Sequence, residues 1–240
     1  MACTCPTGSE WVPATGKCNP PSCIASSDCG TYQICVKEVG EAAGICKDVT
    51  PLAYLQSSGS QYINSGMTCS DFNDIEVKFA STNVNSDRNY IYGIDFTNSN
   101  PKYRSQFSYS KTHFIGYGDN PNYIKSTALF TVNLNDHVLS TDGPNFILDG
   151  NTIWTSPGTW PGDRVAVTGP TFIFSNNKDN AGAAQGGPVK IYYFKMYKNS
   201  TLVADFVPAL DWNNRPGLYD KKRKEMFYNA GSGNFTYPTP

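Results

Sequence analysis

Ile75-Glu-Val-Lys-Phe79 alternates apolar and polar side chains at every step, the period of a strand with one buried face. Tyr90-Ile-Tyr-Gly-Ile-Asp-Phe96 is apolar almost throughout, and its internal Gly93 predicts a bulge or a close backbone approach. Gln106-Phe-Ser-Tyr109 and His113-Phe-Ile-Gly-Tyr117 read as a hairpin pair, and Leu129-Phe-Thr-Val-Asn-Leu134 as a less regular strand. Phe146 to Trp154 predicts a second hairpin, turned at Asp149-Gly150, residues that tolerate positive φ. Thr171-Phe-Ile-Phe174 and Val189 to Tyr197 are the most apolar strands. Lys198-Asn-Ser-Thr201 turns the latter into Leu202 to Val207, and short strands near Leu218 and Met226 follow. No amphipathic helix of three turns interrupts this order. The total, roughly ten to twelve short strands, exceeds the seven or so of an immunoglobulin sandwich. It predicts an all-β fold, two antiparallel sheets packed as a jelly-roll β-sandwich.

The cysteines divide the chain differently. Cys3, Cys5, Cys18, Cys23, Cys29, Cys35 and Cys46 lie in the first 46 residues, and only Cys69 follows. The expected organisation is a small disulfide-rich module over 1–50 and the β domain over 51–240. A segment of that size with few large aliphatics cannot fold on a core alone; disulfides supply the rest. The spacings lack the paired C-x2-C ligands of a structural zinc site, and the segment has no His, so disulfides and an oxidising compartment are expected. Seven is odd. Cys69 is therefore expected to bridge to the module and pin it to the β domain; the alternative is a free, buried Cys69 with one module cysteine unpaired. Cys23-Ile-Ala-Ser-Ser-Asp-Cys29-Gly-Thr-Tyr-Gln-Ile-Cys35 also resembles the small cysteine-rich modules of secreted proteins.

The opening and the end of the β region carry a further resemblance. Leu52-Ala-Tyr-Leu-Gln-Ser-Ser-Gly-Ser-Gln-Tyr-Ile-Asn-Ser-Gly66 is similar to the YIESTGTQYIDTG start of a group of concanavalin A-like, laminin-G-like jelly rolls. Lys190-Ile-Tyr-Tyr-Phe-Lys-Met-Tyr197 with Leu202-Val-Ala-Asp-Phe-Val-Pro-Ala-Leu210 resembles that group's KIYYFKIYDNGTLVRDFVPA. Pro216-Gly-Leu-Tyr-Asp220 and Phe227-Tyr-Asn-Ala-Gly231 continue it. The resemblance covers residues 51–237. It implies a concanavalin A-like sandwich of the kind found in surface proteins of gut bacteria and structural proteins of their phages. It also implies a carbohydrate-binding or adhesive role and, in some members, calcium.

The chemistry narrows these expectations. With a net charge of −1 there is no basic stripe for nucleic acid; Lys221-Lys222-Arg223-Lys224 reads as a solvated turn. No stretch has the ~20 apolar residues of a membrane-spanning helix. No leader precedes Cys3, so a removed upstream leader or another export route is expected. Glucanases on this fold need a carboxylate cluster of the form E-x-D-x-x-E. The β region holds only Glu76 and Glu225, with no such cluster around either. His113 and His137 have no G-x-S-x-G partner. The expectation is therefore a non-enzyme. It would be an extracellular, cell-surface glycan-binding or adhesion module, with a glycan or host-surface protein as partner. The alternative is a structural subunit that self-associates in a surface filament or phage particle.

Sugar sites on β-sandwiches combine aromatics with Asn and Asp side chains. The loop candidates are Tyr117, Asp119, Asn120 and Tyr123, then Trp154, Trp160 and Asp163, with Trp212 on a turn further along. Asn176 and Asp179, in Ser175 to Asn180, are the candidate calcium ligands.

Overall fold

The structure, a computed structural model, describes residues 10–12, 17–19, 22–68, 70–83, 89–96, 103–109, 114–119, 124–125, 133–155, 169–178 and 183–240. Two sheets of eight and ten strands make an all-β sandwich. The ten-stranded sheet runs Asn151–Thr155, Asn145–Leu148, Asp136–Asp142, Asp74–Ser81, Pro188–Lys198, Thr201–Leu210, Pro216–Asp220, Glu225–Tyr228. Leu55–Ser58 joins it on Pro188–Lys198, and Thr50–Pro51 on Thr201–Leu210. The second sheet orders Ile124–Lys125, Phe114–Asp119, Tyr103–Tyr109, Asn89–Phe96, Pro170–Ile173 and Ile63–Thr68.

Alternation explains which faces meet. Val189, Ile191, Phe194 and Met196 of the longest strand point inward, as do Ile75, Val77 and Phe79 beside it. Ile63, Tyr92 and Ile173 reach them from the other sheet, and the Tyr92 and Phe194 rings meet edge to face at 5.6 Å. Full burial of each such side chain stabilises by about 1.5–3 kcal/mol.

The expected turns form. Asp149 and Gly150 hold φ of 49° and 79° between the strands of their hairpin. Asn199 and Ser200, at 48° and 63°, turn the longest strand without glycine. In Asn89–Phe96 the register shifts between Tyr90 and Tyr92, while Gly93 makes the close approach: a Cβ there would lie 2.5 Å from Asn176 Oδ1. Ser175–Lys178, expected as a loop, is instead a strand, pairing in parallel with Asn89–Phe96. Of the expected strand at 129–134, residues 129–132 lie outside the described residues; Leu134 is exposed.

The turn at 221–224 is anchored rather than merely solvated. Lys221 Nζ pairs with Asp205 at 2.7 Å, Arg223 Nε with the buried carboxylate of Asp220, and Lys224 Nζ donates to the Cys29 carbonyl.

The cysteine-rich segment folds as a three-stranded sheet, Ser22–Cys23, Gly44–Asp48 and Gln33–Val36. Disulfides Cys23–Cys35 and Cys29–Cys46 staple it, which is compatible with an oxidising compartment. The remaining cysteine expectations fall elsewhere. Cys3, Cys5 and Cys69 lie outside the described residues, and Cys18 is placed only by its strand, Lys17–Asn19. The bridges close sequence separations of 12 and 17 residues, so replacing either pair by serine should cost the segment about 3 kcal/mol. A lowered first transition in a thermal scan, with the sandwich transition preserved, is the expected readout.

This small sheet rests on the large one. Tyr32, Ile34 and Val49 pack against Val207, Tyr219, Met226 and Tyr228. The Tyr32 and Tyr219 rings lie 5.7 Å apart, and the Tyr219 hydroxyl donates to the Gln33 carbonyl at 3.3 Å. No helix among the described residues is long and apolar enough to cross a membrane.

Candidate functional site

Residues opposed across adjacent strands share a face. On Pro188–Lys198, the residues between the core positions are Lys190, Tyr192, Tyr193, Lys195 and Tyr197, and all are partly exposed. A register shift between Ile191 and Tyr193 lets both adjacent tyrosines keep that exposure. Lys195 stands opposite Glu76 on one side and Asp205 on the other; Tyr193 stands opposite Lys78. Val207 and Ala209 continue the Asp205 parity and lie beneath the cysteine-rich sheet. Among the described residues, one face of the ten-stranded sheet is thus covered at one end and partly exposed over Asp74–Ser81, Asp136–Asp142 and Pro188–Lys198.

The open part is an ordered array of rings and charges. Lys78 Nζ lies 3.0 Å from Asp136 and 4.7 Å from the Tyr192 ring centroid. The Tyr192 hydroxyl donates to Asp136 Oδ1 at 2.6 Å, and its ring meets Tyr54 edge to face at 6.0 Å. Lys190 Nζ sits 4.6 Å over the Tyr54 ring. Lys195 Nζ pairs with Glu76 at 2.8 Å and lies 4.7 Å over Tyr193. Cation–π contacts at such half-exposed sites contribute about 0.5–1 kcal/mol each; their main effect is to hold long side chains in one geometry.

The titration behaviour follows. Burial, then the adjacent Asp136 charge, pushes Tyr192 up to about 12, and burial with Glu76 does the same for Tyr193. The Tyr192 hydroxyl bond and Lys78 hold Asp136 below the ordinary aspartate value of 3.8. A carboxyl depressed in the fold stabilises above its unfolded pKa, and that contribution is lost as pH falls through the folded value. The urea midpoint of the protein should therefore drop below about pH 4, and Asp136→Asn should flatten part of that drop. The raised tyrosine acts oppositely: its contribution is present below about pH 10 and lost as pH rises through about 12.

Among the described residues, the candidates expected from sequence fall on several elements. Trp154 lies on Asn151–Thr155, packed on Phe146 at 5.3 Å against the core. Trp212 is exposed on the tight turn after Thr201–Leu210, where Asp211 accepts the Asn213 and Arg215 N–H groups. Tyr117 and Asp119 lie on the strand Phe114–Asp119. Asn176 is buried at 2 % exposure in Ser175–Lys178, against Gly93. Asn120, Tyr123, Trp160, Asp163 and Asp179 lie outside the described residues.

Two other clusters have structural explanations. His137 Nδ1 lies 2.7 Å from Asp149, and Nε2 lies 3.0 Å from Asn133 Oδ1, so both ring nitrogens are engaged in fastening the Asp149 hairpin. The sulfurs of Cys23, Cys29 and Cys46 lie together, but all three are in disulfides and offer no thiolate to a metal.

Sequence reasoning passed over the open face because it looked for aromatics in loops. The signal was the outward half of the same alternation that marks the core: Lys190, Tyr192, Lys195 and Tyr197 between Val189, Ile191, Phe194 and Met196. No family model and no curated protein matches this chain.

Proposed function

We propose that this chain is a non-catalytic extracellular glycan-binding or adhesion module of a concanavalin A-like jelly-roll type, as its resemblance implies. The observation that carries the reading is the open face, where Tyr54, Tyr192, Tyr193 and Tyr197 alternate with Lys78, Lys190, Lys195, Glu76 and Asp136. Hydroxyl-rich ligands are bound by aromatic surface flanked by fixed donors and acceptors, and the ion pairs fix them before a ligand arrives. The cysteine-rich sheet, seated beside that surface, would act as a rigid spacer on the parent surface.

One observation favours the alternative, a structural subunit. The cysteine-rich segment exposes Ile24 at 73 %, Val39 at 107 % and Ile45 at 41 %, and exposed apolar groups mark contact surfaces. The two readings separate in one experiment. A glycan array probed with the full chain, beside a sizing column at the same concentration, should give array hits and a monomer. A blank array with large assemblies would transfer the assignment to the structural subunit.

A further inference from the structure

The Tyr54–Tyr192 corner of the open face is not balanced in charge. Lys78 and Lys190 bring two ammonium groups to it, and Asp136 supplies one carboxylate, already shared between Lys78 and the Tyr192 hydroxyl. Elsewhere on this face each lysine has its own acid, Lys195 with Glu76 and Lys221 with Asp205. Lys190 differs: its neighbours across the two adjacent strands are Gln56 and Ala80, and neither carries charge. Among the described residues its ammonium lies over the Tyr54 ring and forms no ion pair of its own, although Asp136, one strand further on in the same row, feels its charge, and the Tyr54 hydroxyl has no hydrogen-bond partner.

We infer that this corner is the subsite for an acidic sugar, one whose carboxylate or sulfate meets Lys190 while its ring and hydroxyls lie along Tyr54 and Tyr192. The inference rests on the glycan-binding reading and names the ligand class within it. The argument is charge complementarity. A half-buried ammonium that the fold orients by a ring contact, but leaves without a direct ion pair, is completed by an anionic ligand. A neutral sugar gains only a hydroxyl hydrogen bond from that ammonium, whereas an acidic one gains an ion pair as well. Asp136, paired with Lys78, limits the surplus to one charge, so recognition calls for a single acidic group flanked by hydroxyls rather than a dense polyanion. Carboxylate and sulfate sugars share this chemistry and differ in the geometry of the anion.

The test uses the full chain on an array holding neutral, uronate-bearing, sialylated and sulfated oligosaccharides, followed by titration of the strongest hit. Acidic sugars should dominate the hits. Lys190→Ala should weaken the strongest hit about tenfold or more, Lys190→Arg should retain most of it, and raising NaCl from 50 to 500 mM should weaken it several-fold. Unchanged thermal midpoints in both variants show that the fold is intact. Neutral sugars bound as well as acidic ones, with Lys190→Ala indifferent, would overturn the acidic subsite while leaving glycan binding standing. An array blank for every class would remove both. The split between carboxylate and sulfate hits identifies which anion the corner takes.

Discussion

Asp220→Ala should be among the most damaging single substitutions in the sandwich, lowering stability by about 3–5 kcal/mol. Asp220 is fully buried. Its Oδ1 accepts the Asp205 N–H at 3.0 Å and the Lys222 N–H at 2.9 Å, and its Oδ2 holds Arg223 Nε. Arg223 in turn donates through Nη2 to the Ser65 carbonyl at 2.9 Å, on a strand of the opposite sheet, and its guanidinium stacks on Phe227 at 4.3 Å. Alanine leaves a partly buried guanidinium without its anion and two N–H groups without acceptors; breaking one partner of such a pair costs more than the pair contributes. Asp220→Asn keeps an oxygen for the two N–H groups but sets an amide N–H against Arg223, so its loss should be smaller. Urea denaturation of the two variants against the parent protein gives the comparison. Equal and small losses would show that Arg223 finds another acceptor.

Phe235→Ala should rank beside it, at about 3–5 kcal/mol. The chain after Tyr228 crosses the open end of the sandwich. Ala230 N donates to the Tyr62 carbonyl at 2.9 Å, Ser232 N to Ser60 at 3.1 Å, and Thr236 exchanges both backbone bonds with Gln56 at 2.8 and 3.0 Å. Phe235 then enters the core at 4 % exposure, its ring 4.9 Å from Phe174. Two substitutions separate the plug from the strap. Phe235→Leu keeps most of the apolar volume and should cost well under half as much. Gly231→Val attacks the strap alone, because even a Cβ at Gly231 would sit 2.1 Å from the Ser60 carbonyl. A thermal scan in which Phe235→Ala barely moves the midpoint would mean that the tail is not part of the cooperative unit.

Much of this architecture could be read from periodicity, because the buried face of each strand leaves a direct mark. Val189, Ile191, Phe194 and Met196 identify one, and Asp149-Gly150 marks a turn chemically. Ser175–Lys178 was not legible: Ser, Asn, Asn and Lys have loop composition, and the segment is a strand through its backbone pairing with Asn89–Phe96 and Ala183–Gly186, which are distant or unmarked in sequence. The turn at 221–224 was legible as a turn between two strands, and Lys222 is exposed there, but its anchoring was not. Lys221, Arg223 and Lys224 look solvated until Asp205, Asp220 and the Cys29 carbonyl, all distant in sequence or buried, are placed beside them. The open face was half legible. Alternation indicates that Lys190 and Tyr192 point outward, but pairing Lys78 with Asp136 and Lys195 with Glu76 requires the register of three strands.

The central claim is that this face binds a glycan. Hydroxyl-radical footprinting of the full chain, with and without its strongest array hit, tests it most directly, since tyrosine rings are reactive when exposed and silent when covered. The account predicts that oxidation of Tyr54 and Tyr192 falls on binding while Trp212 stays as reactive as before. Protection confined to Trp212, with Tyr54 and Tyr192 unchanged, would contradict it.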